Sequence, residues 1–406
     1  MKKNMTLSRR GFLKGAAVAS GAAVGSRIIS PFEREARAAD PERAAVVVLF
    51  LNGGYNSLFG SADSFLQAGT FGVNAQRVMM LGGEGGLAVD AQTLGTLPTF
   101  ARTHMATIGV RHGISDHGVA QNHDWSNGTT NYGVVLADAI GGPAAIKGAH
   151  VGGNMVPRGN VAVNGTTLQQ INDMGTTITA LGGTVDATLP NRAVGSMGIM
   201  AAQDMSKVKV DNNPRAMLNM KNGYKTAIET LQKPVKAFDR AEFLNAYNLG
   251  TNTGINSFAS KMAAAELMVR SGTNVVTIQD GGWDSHGDRD GNGVRTKLGG
   301  MMGAINTFAA RMIDPAGAGQ NPETPRNVIF MIMGDFARSL PGSDHQPNMS
   351  ATVIGKYVKT GTTGKVAANV SLPAGVGQGQ QLWSFVAAAS KVTANPFGAN
   401  PHALVL

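Results

Sequence analysis

Four short runs of apolar, mostly β-branched residues stand out along the chain: Ala45 to Leu51, Met105 to Val110, Asn274 to Ile278 and Asn327 to Met333. Each is bounded by turn-forming residues, so each predicts a buried strand. Helical spacing precedes the third and fourth. Phe258, Met262, Ala265 and Val269 recur at intervals of four, three and four, and Val294, Leu298, Met301, Ile305, Phe308 and Met312 alternate four and three. A helix leading into a buried strand, twice in succession, predicts an α/β protein with a mainly parallel central sheet flanked by helices.

Between residues 141 and 247 the pattern fades into Gly, Asn and Thr with several Pro. This stretch is expected to be a loop-rich insertion in, or cap over, a single domain spanning 39–406. The 54 glycines and the 15% content of charged residues fit tight turns and long ordered loops better than a helical bundle.

The N-terminal segment reads Ser8-Arg9-Arg10-Gly11-Phe12-Leu13-Lys14, then a weakly apolar Gly/Ala stretch, then Ala36-Arg37-Ala38. Paired arginines before an apolar run and an Ala-x-Ala site predict a twin-arginine signal over residues 1–38, read by the translocase as an address. The expected location is periplasmic or secreted. Those 38 residues hold eight of the 35 basic and two of the 26 acidic side chains, so removing them lowers the formal charge from +9 to +3. The high overall basicity is therefore no argument for a nucleic-acid partner. The chain has no cysteine, which excludes disulfides, thiolate metal sites and a lipid-modified cysteine. No later stretch has the roughly 18 uninterrupted apolar residues of a membrane span, so no stable membrane anchor is expected.

Candidate chemistry follows each predicted strand. After the first come Asn52-Gly53-Gly54-Tyr55-Asn56-Ser57, and after the second Arg111-His112-Gly113-Ile114-Ser115-Asp116-His117, then Gln121-Asn122-His123-Asp124-Trp125. The third is followed by Asp280-Gly281-Gly282-Trp283-Asp284-Ser285-His286, and the fourth by Asp335-Phe336-Ala337-Arg338-Ser339 and Ser343-Asp344-His345. In open α/β sheets such loops gather at the carboxyl ends of the strands.

Carboxylate and neutral imidazole are the ligands a divalent cation takes when thiolates are absent, with zinc, manganese and magnesium all chemically suited. Asp284/His286 and Asp344/His345 could share one ion or divide between two about 4 Å apart. Arg338 reads either as an ion-pair partner of Asp335 or as an oxyanion clamp. The glycines after the first strand match no dinucleotide fingerprint, and Trp125 and Trp283 read as packing residues.

This order of motifs resembles the exported family called domain of unknown function 1501. The Gly-Trp-Asp-x-His and Asp-His elements carry most of the resemblance, which spans nearly all of the chain after the signal and is weakest over 141–247. The family is similar in architecture to the alkaline phosphatase and sulfatase superfamily. The resemblance implies metal ligation by Asp284, His286, Asp344 and His345, with Asp335 and His117 nearby. It also implies a metal-activated Ser or Thr attacking a phosphate or sulfate ester, Ser57 and Ser115 being the candidates by position. Where the family has Gly-Gly-Asn-Asp this chain has Gly53-Gly54-Tyr55-Asn56, so a neutral amide replaces one carboxylate ligand; its Glu-Phe-Gly-Arg-Thr is Asp335 to Ser339 here. The expected function is a metal-dependent hydrolase acting on a small anionic ester. The alternative is a non-catalytic exported protein that keeps the fold and binds a partner or glycan.

Overall fold

Every residue of Ala44–Leu51 is buried, and its side chains alternate between two hydrophobic cores. Ala45, Val47, Leu49 and Leu51 face one, Val46, Val48 and Phe50 the other. This two-sided burial is why the run is continuously apolar instead of alternating with polar residues. Each fully buried Val or Leu contributes about 1.5–3 kcal/mol.

The computed structural model describes residues 43–54, 75–142, 144, 146–153, 158–182, 238–318, 324–339, 342–363 and 377–406. The signal segment and the candidates Asn56 and Ser57 lie outside the described residues. In chain order the strands are β1 (Ala44–Leu51), β2 (Val78–Gly82), β3 (Leu87–Asp90), β4 (Met105–Val110), β5 (Gly148–Val151), β6 (Ala162–Val163) and β7 (Thr166–Ile171). They continue with β8 (Val275–Asp280), β9 (Asn327–Gly334), β10 (Ala337–Arg338), β11 (His345–Gln346), β12 (Met349–Gly355) and β13 (Gly361–Thr363).

Nine of them form one sheet in the order β13-β4-β12-β9-β1-β8-β5-β7-β6. β7, β5, β8, β1 and β9 are mutually parallel. β12 runs against both β9 and β4, and β6 runs against β7. The protein is thus an α/β fold on a large, mostly parallel sheet.

Five helices matter here: α1 (His117–Trp125), α2 (Tyr132–Ile140), α3 (Phe258–Arg270), α4 (Asn292–Phe308) and α5 (Gly379–Ala389). Met262 and Leu267 of α3 and Leu298 and Ile305 of α4 pack in the core with Val47 and Leu49. Trp125 of α1, Leu136 of α2 and Trp383 and Phe385 of α5 fill the opposite core with Val46 and Phe50. The helical spacing from Val294 to Met312 runs through α4 only as far as Phe308; Ala309–Ile313 continues as a π-helical turn.

The stretch expected as an insertion or cap contributes three strands where it is described. β5, β6 and β7 extend the main sheet along one side. Their segments are too short and too mixed in polarity to register as buried runs; in β7 only Thr166, Leu168 and Ile171 are buried. Among the described residues no helix is long and apolar enough to cross a membrane.

Candidate metal centre

Because β1, β8, β9 and β4 point the same way, the segments that follow them emerge at one edge of the sheet, and the segment leading into antiparallel β12 arrives at that edge too. There His117, Asp284 and His345 converge, each with a potential ligand atom within 4.8 Å of the others'. His117 Nε2 lies 3.7 Å from Asp284 Oδ2, and His345 Nε2 lies 3.9 Å from Asp284 Oδ1. The two imidazole rings are 4.5 Å apart, edge to face.

Each imidazole is held by its other nitrogen. His117 Nδ1–H donates to Asp335 Oδ2 at 2.5 Å, and His345 Nδ1–H donates to the Ser115 carbonyl at 2.7 Å. A carboxylate and a carbonyl can only accept, so both neutral rings carry their proton on Nδ1 and turn the Nε2 lone pair inward. His117 Nε2 is buried with no hydrogen-bond partner. A buried lone pair without a donor, facing a carboxylate, suits a cation ligand, and carboxylate- or carbonyl-anchored histidines are the usual support of metal ligands. The cluster could therefore hold a metal ion.

Asp335 explains how the loops lock. Its side chain is fully buried, and Oδ1 accepts from the amides of Gly53, at 3.1 Å, and Gly54, at 2.5 Å. Asp335, expected near the metal, has both oxygens engaged by the protein, and its work is to orient His117. Phe336, also buried, lies beneath the site, its ring 4.6 Å from that of His117 and 4.2 Å from that of His345.

Gly53 and Gly54 are required by close approach. A Cβ on Gly53 would lie 2.2 Å from the Asp284 amide nitrogen, and one on Gly54 would lie 2.5 Å from the Phe336 ring. Both have positive φ, +123° and +76°.

Arg338 pairs with Asp284 and not with Asp335. Its side chain is fully buried, and besides Asp284 it donates to the carbonyls of Gly53, Gly54 and Ser343. With its donors committed to the protein, it ties three loops together and is not free to clamp a substrate oxyanion. Burial pushes the Asp284 carboxyl up, but the charge and hydrogen bond of Arg338, with His117 and His286, outweigh this and hold it below the ordinary carboxylate range.

The other expected ligands divide. His286 lies against the cluster without being one of its three converging residues, with Nε2 3.1 Å from Asp284 Oδ1 and its ring 4.9 Å from that of His345. Asp344 is exposed and is likewise not among them. Ser115 is exposed and contributes its carbonyl to the site.

Gln121, within the segment after the second predicted strand, has a role at the site that the sequence did not assign it. It lies one helical turn after His117 on α1, whose start is capped by Asp116 accepting from the Val119 amide at 3.0 Å. Gln121 Nε2 donates to Asn52 Oδ1 at 2.8 Å and to Asp335 Oδ2 at 3.4 Å. The i, i+4 spacing from His117 was the available signal.

Beside the cluster, His112 donates from Nε2 to the Asp335 carbonyl at 3.1 Å and accepts on Nδ1 from the Ile114 amide at 3.0 Å. Burial, with the nearby His123, lowers its pKa to about 4. On α1, burial raises the Asp124 carboxyl to about 7, opposed by the hydrogen bond from His123.

No family model matches the chain, and no curated protein is detectably similar to it.

Proposed function

We propose that the protein is an exported metal-dependent hydrolase of phosphate or sulfate esters, with an alkaline phosphatase-like arrangement of sheet and site and kinship to domain of unknown function 1501. The observation that carries this reading is the convergence of His117, Asp284 and His345, including a buried imidazole nitrogen without a partner, at the edge of the sheet where the loops gather. The twin-arginine segment, Ser8 to Lys14, supports delivery of an already folded protein to the periplasm or beyond.

Zinc is the ion we assign. Two imidazoles and one carboxylate are a catalytic zinc donor set, leaving a position for substrate. When bound, such an ion supplies Lewis-acid polarisation of an ester oxygen. The protein's own residues prepare the site. Asp335 and the Ser115 carbonyl fix the imidazole tautomers. Arg338 keeps Asp284 ionised and in place. Phe336 closes the floor against water.

The test is turnover of a chromogenic aryl phosphate and an aryl sulfate by the mature protein before and after chelation. Loss of hydrolysis in chelator, restored by zinc and absent in His345→Ala, supports the reading. Unchanged turnover in metal-free protein, or no turnover of either ester with zinc bound, refutes it.

A further inference from the structure

We propose that His123 and Asp124, at the end of α1, form a proton-operated latch that holds the loop after β4 to the start of α5. The inference is independent of the metal-centre reading.

The end of α1 and the start of α5 are seated directly on each other. Trp383 Nε1 donates to the Asp124 carbonyl at 2.8 Å, and a Cβ on Gly379 would lie 2.9 Å from the His123 carbonyl oxygen and 3.2 Å from Asp124 Oδ1. Gln378, the residue before α5, is exposed and reaches across to both neighbours. Its Nε2 donates to the Arg111 carbonyl at 2.9 Å, and its Oε1 faces His123 Nε2 at 3.1 Å. The adjacent Gly377 carbonyl accepts from the Arg111 amide at 3.0 Å. Arg111 opens the loop that leads to His117.

Bond directions set the proton count. Because the Arg111 carbonyl can only accept, the Gln378 amide is held with its oxygen toward His123, and that oxygen also can only accept. His123 Nε2 must therefore carry a hydrogen. On the other side of the ring, Nδ1 lies 3.0 Å from Asp124 Oδ1. One proton joins these two atoms, on the imidazole as an ion pair or on the carboxyl as a neutral pair, and Nε2–H is present either way. The dyad thus holds one proton more than an ionised carboxylate beside a neutral imidazole.

Losing that proton to solvent opens the latch. Asp124 is fully buried and its Oδ2 has no partner among the described residues, so the carboxylate keeps the remaining ring proton on Nδ1. Nε2 then turns a lone pair on Gln378 Oε1. Turning the amide over mends that contact but sets Oε1 against the Arg111 carbonyl. One of the two bonds is lost in either arrangement.

The groups facing the dyad leave the extra proton in place. His112, in the loop, has its ring 5.6 Å from that of His123 and is neutral, accepting on Nδ1 from the Ile114 amide. Tyr132, on α2, and Asp335 face Asp124; burial, with the Asp335 charge, favours the protonated carboxyl. The hydrogen bond to Asp124 raises the His123 pKa against the opposing effect of burial. The latch's contribution to stability is therefore complete below the ordinary imidazole value of 6.5 and is lost as pH rises through the raised folded value.

The experiment follows the His123 ring by nitrogen NMR and the Arg111 amide by hydrogen exchange, each across pH, in the purified wild type, Gln378→Met and Asp124→Asn. In wild type, His123 should lose its Nε2 hydrogen with a midpoint above 6.5. Arg111 exchange, corrected for the intrinsic effect of pH, should speed up about tenfold across the same midpoint. Gln378→Met should abolish the step at Arg111 while His123 still titrates. Asp124→Asn should bring the His123 midpoint down to about 6.5 or lower. If this buried replacement does not fold, wild type and Gln378→Met, which changes an exposed side chain, decide by themselves. A His123 Nε2 without hydrogen below about pH 6 overturns the proposal, as does an Arg111 amide with no step in wild type. So does a step that survives in Gln378→Met, or an unchanged midpoint in folded Asp124→Asn.

Discussion

His117 Nδ1 and Asp335 Oδ2 are 2.5 Å apart, and the same carboxylate takes the amides of Gly53 and Gly54 on its other oxygen. One buried side chain therefore joins the loop after β1, the helix after β4 and the end of β9, and it fixes which nitrogen of His117 faces the cluster.

Asp335→Asn keeps the acceptor for the glycine amides but presents an NH₂ group to His117. The imidazole should then shift its proton to Nε2, the wrong atom for a metal. Zinc affinity is expected to fall about 10–100-fold with the fold retained. Circular dichroism and a zinc titration check this; unchanged affinity would show that the tautomer is not set by Asp335.

Gly53→Ala should cost at least about 2 kcal/mol in urea unfolding, from a positive φ combined with a collision against the loop after β8. Gly113 has φ +76° and open space within 4 Å of where a methyl group would sit, so Gly113→Ala should cost only the left-handed backbone preference, about 1–2 kcal/mol.

Replacing Arg338 by Met leaves the carbonyls of Gly53, Gly54 and Ser343 without their guanidinium donors and Asp284 without its counter-ion. A loss of about 3 kcal/mol in unfolding free energy is expected, mostly from the orphaned acceptors because Asp284 is half exposed. Asp284 should also titrate at higher pH. Stability within about 0.5 kcal/mol of wild type would contradict the tie between loops.

His112 is held neutral, donating from Nε2 and accepting on Nδ1. Its folded pKa, about 4, lies below the usual value of 6.5, so between these the unfolded chain binds the extra proton. Its contribution to stability is complete above 6.5 and is lost as pH falls through 4. Nitrogen NMR of the imidazole should show the Nε2–H form persisting to about pH 4; titration near 6.5 would contradict it.

The four apolar runs mark four strands of the sheet because β1, β4, β8 and β9 bury their apolar residues on both faces. β12 is just as buried, but Ser350 and Thr352 interrupt its apolar pattern, and it escapes a reading by hydrophobic runs. At the site, Asp284, His286 and His345 were legible as Asp/His pairs at strand ends. Asp344 was not separable from His345 on composition; in the fold Asp344 is exposed while His345 turns Nε2 toward Asp284. The roles of Asp335 and Arg338 were hidden for another reason. Their partners lie 218 and 54 residues away in sequence, for His117 and Asp284 respectively, so the hydrogen bonds exist only once the loops meet.

The central claim, that His117, Asp284 and His345 form a metal centre, is tested most directly by zinc titration of the chelator-stripped mature protein and of the His117→Ala/His345→Ala double variant. The account predicts about one equivalent bound by wild type and a loss of affinity of about 100-fold or more in the double variant. Binding of less than about a tenth of an equivalent by wild type, or equal affinity in the two proteins, would contradict it.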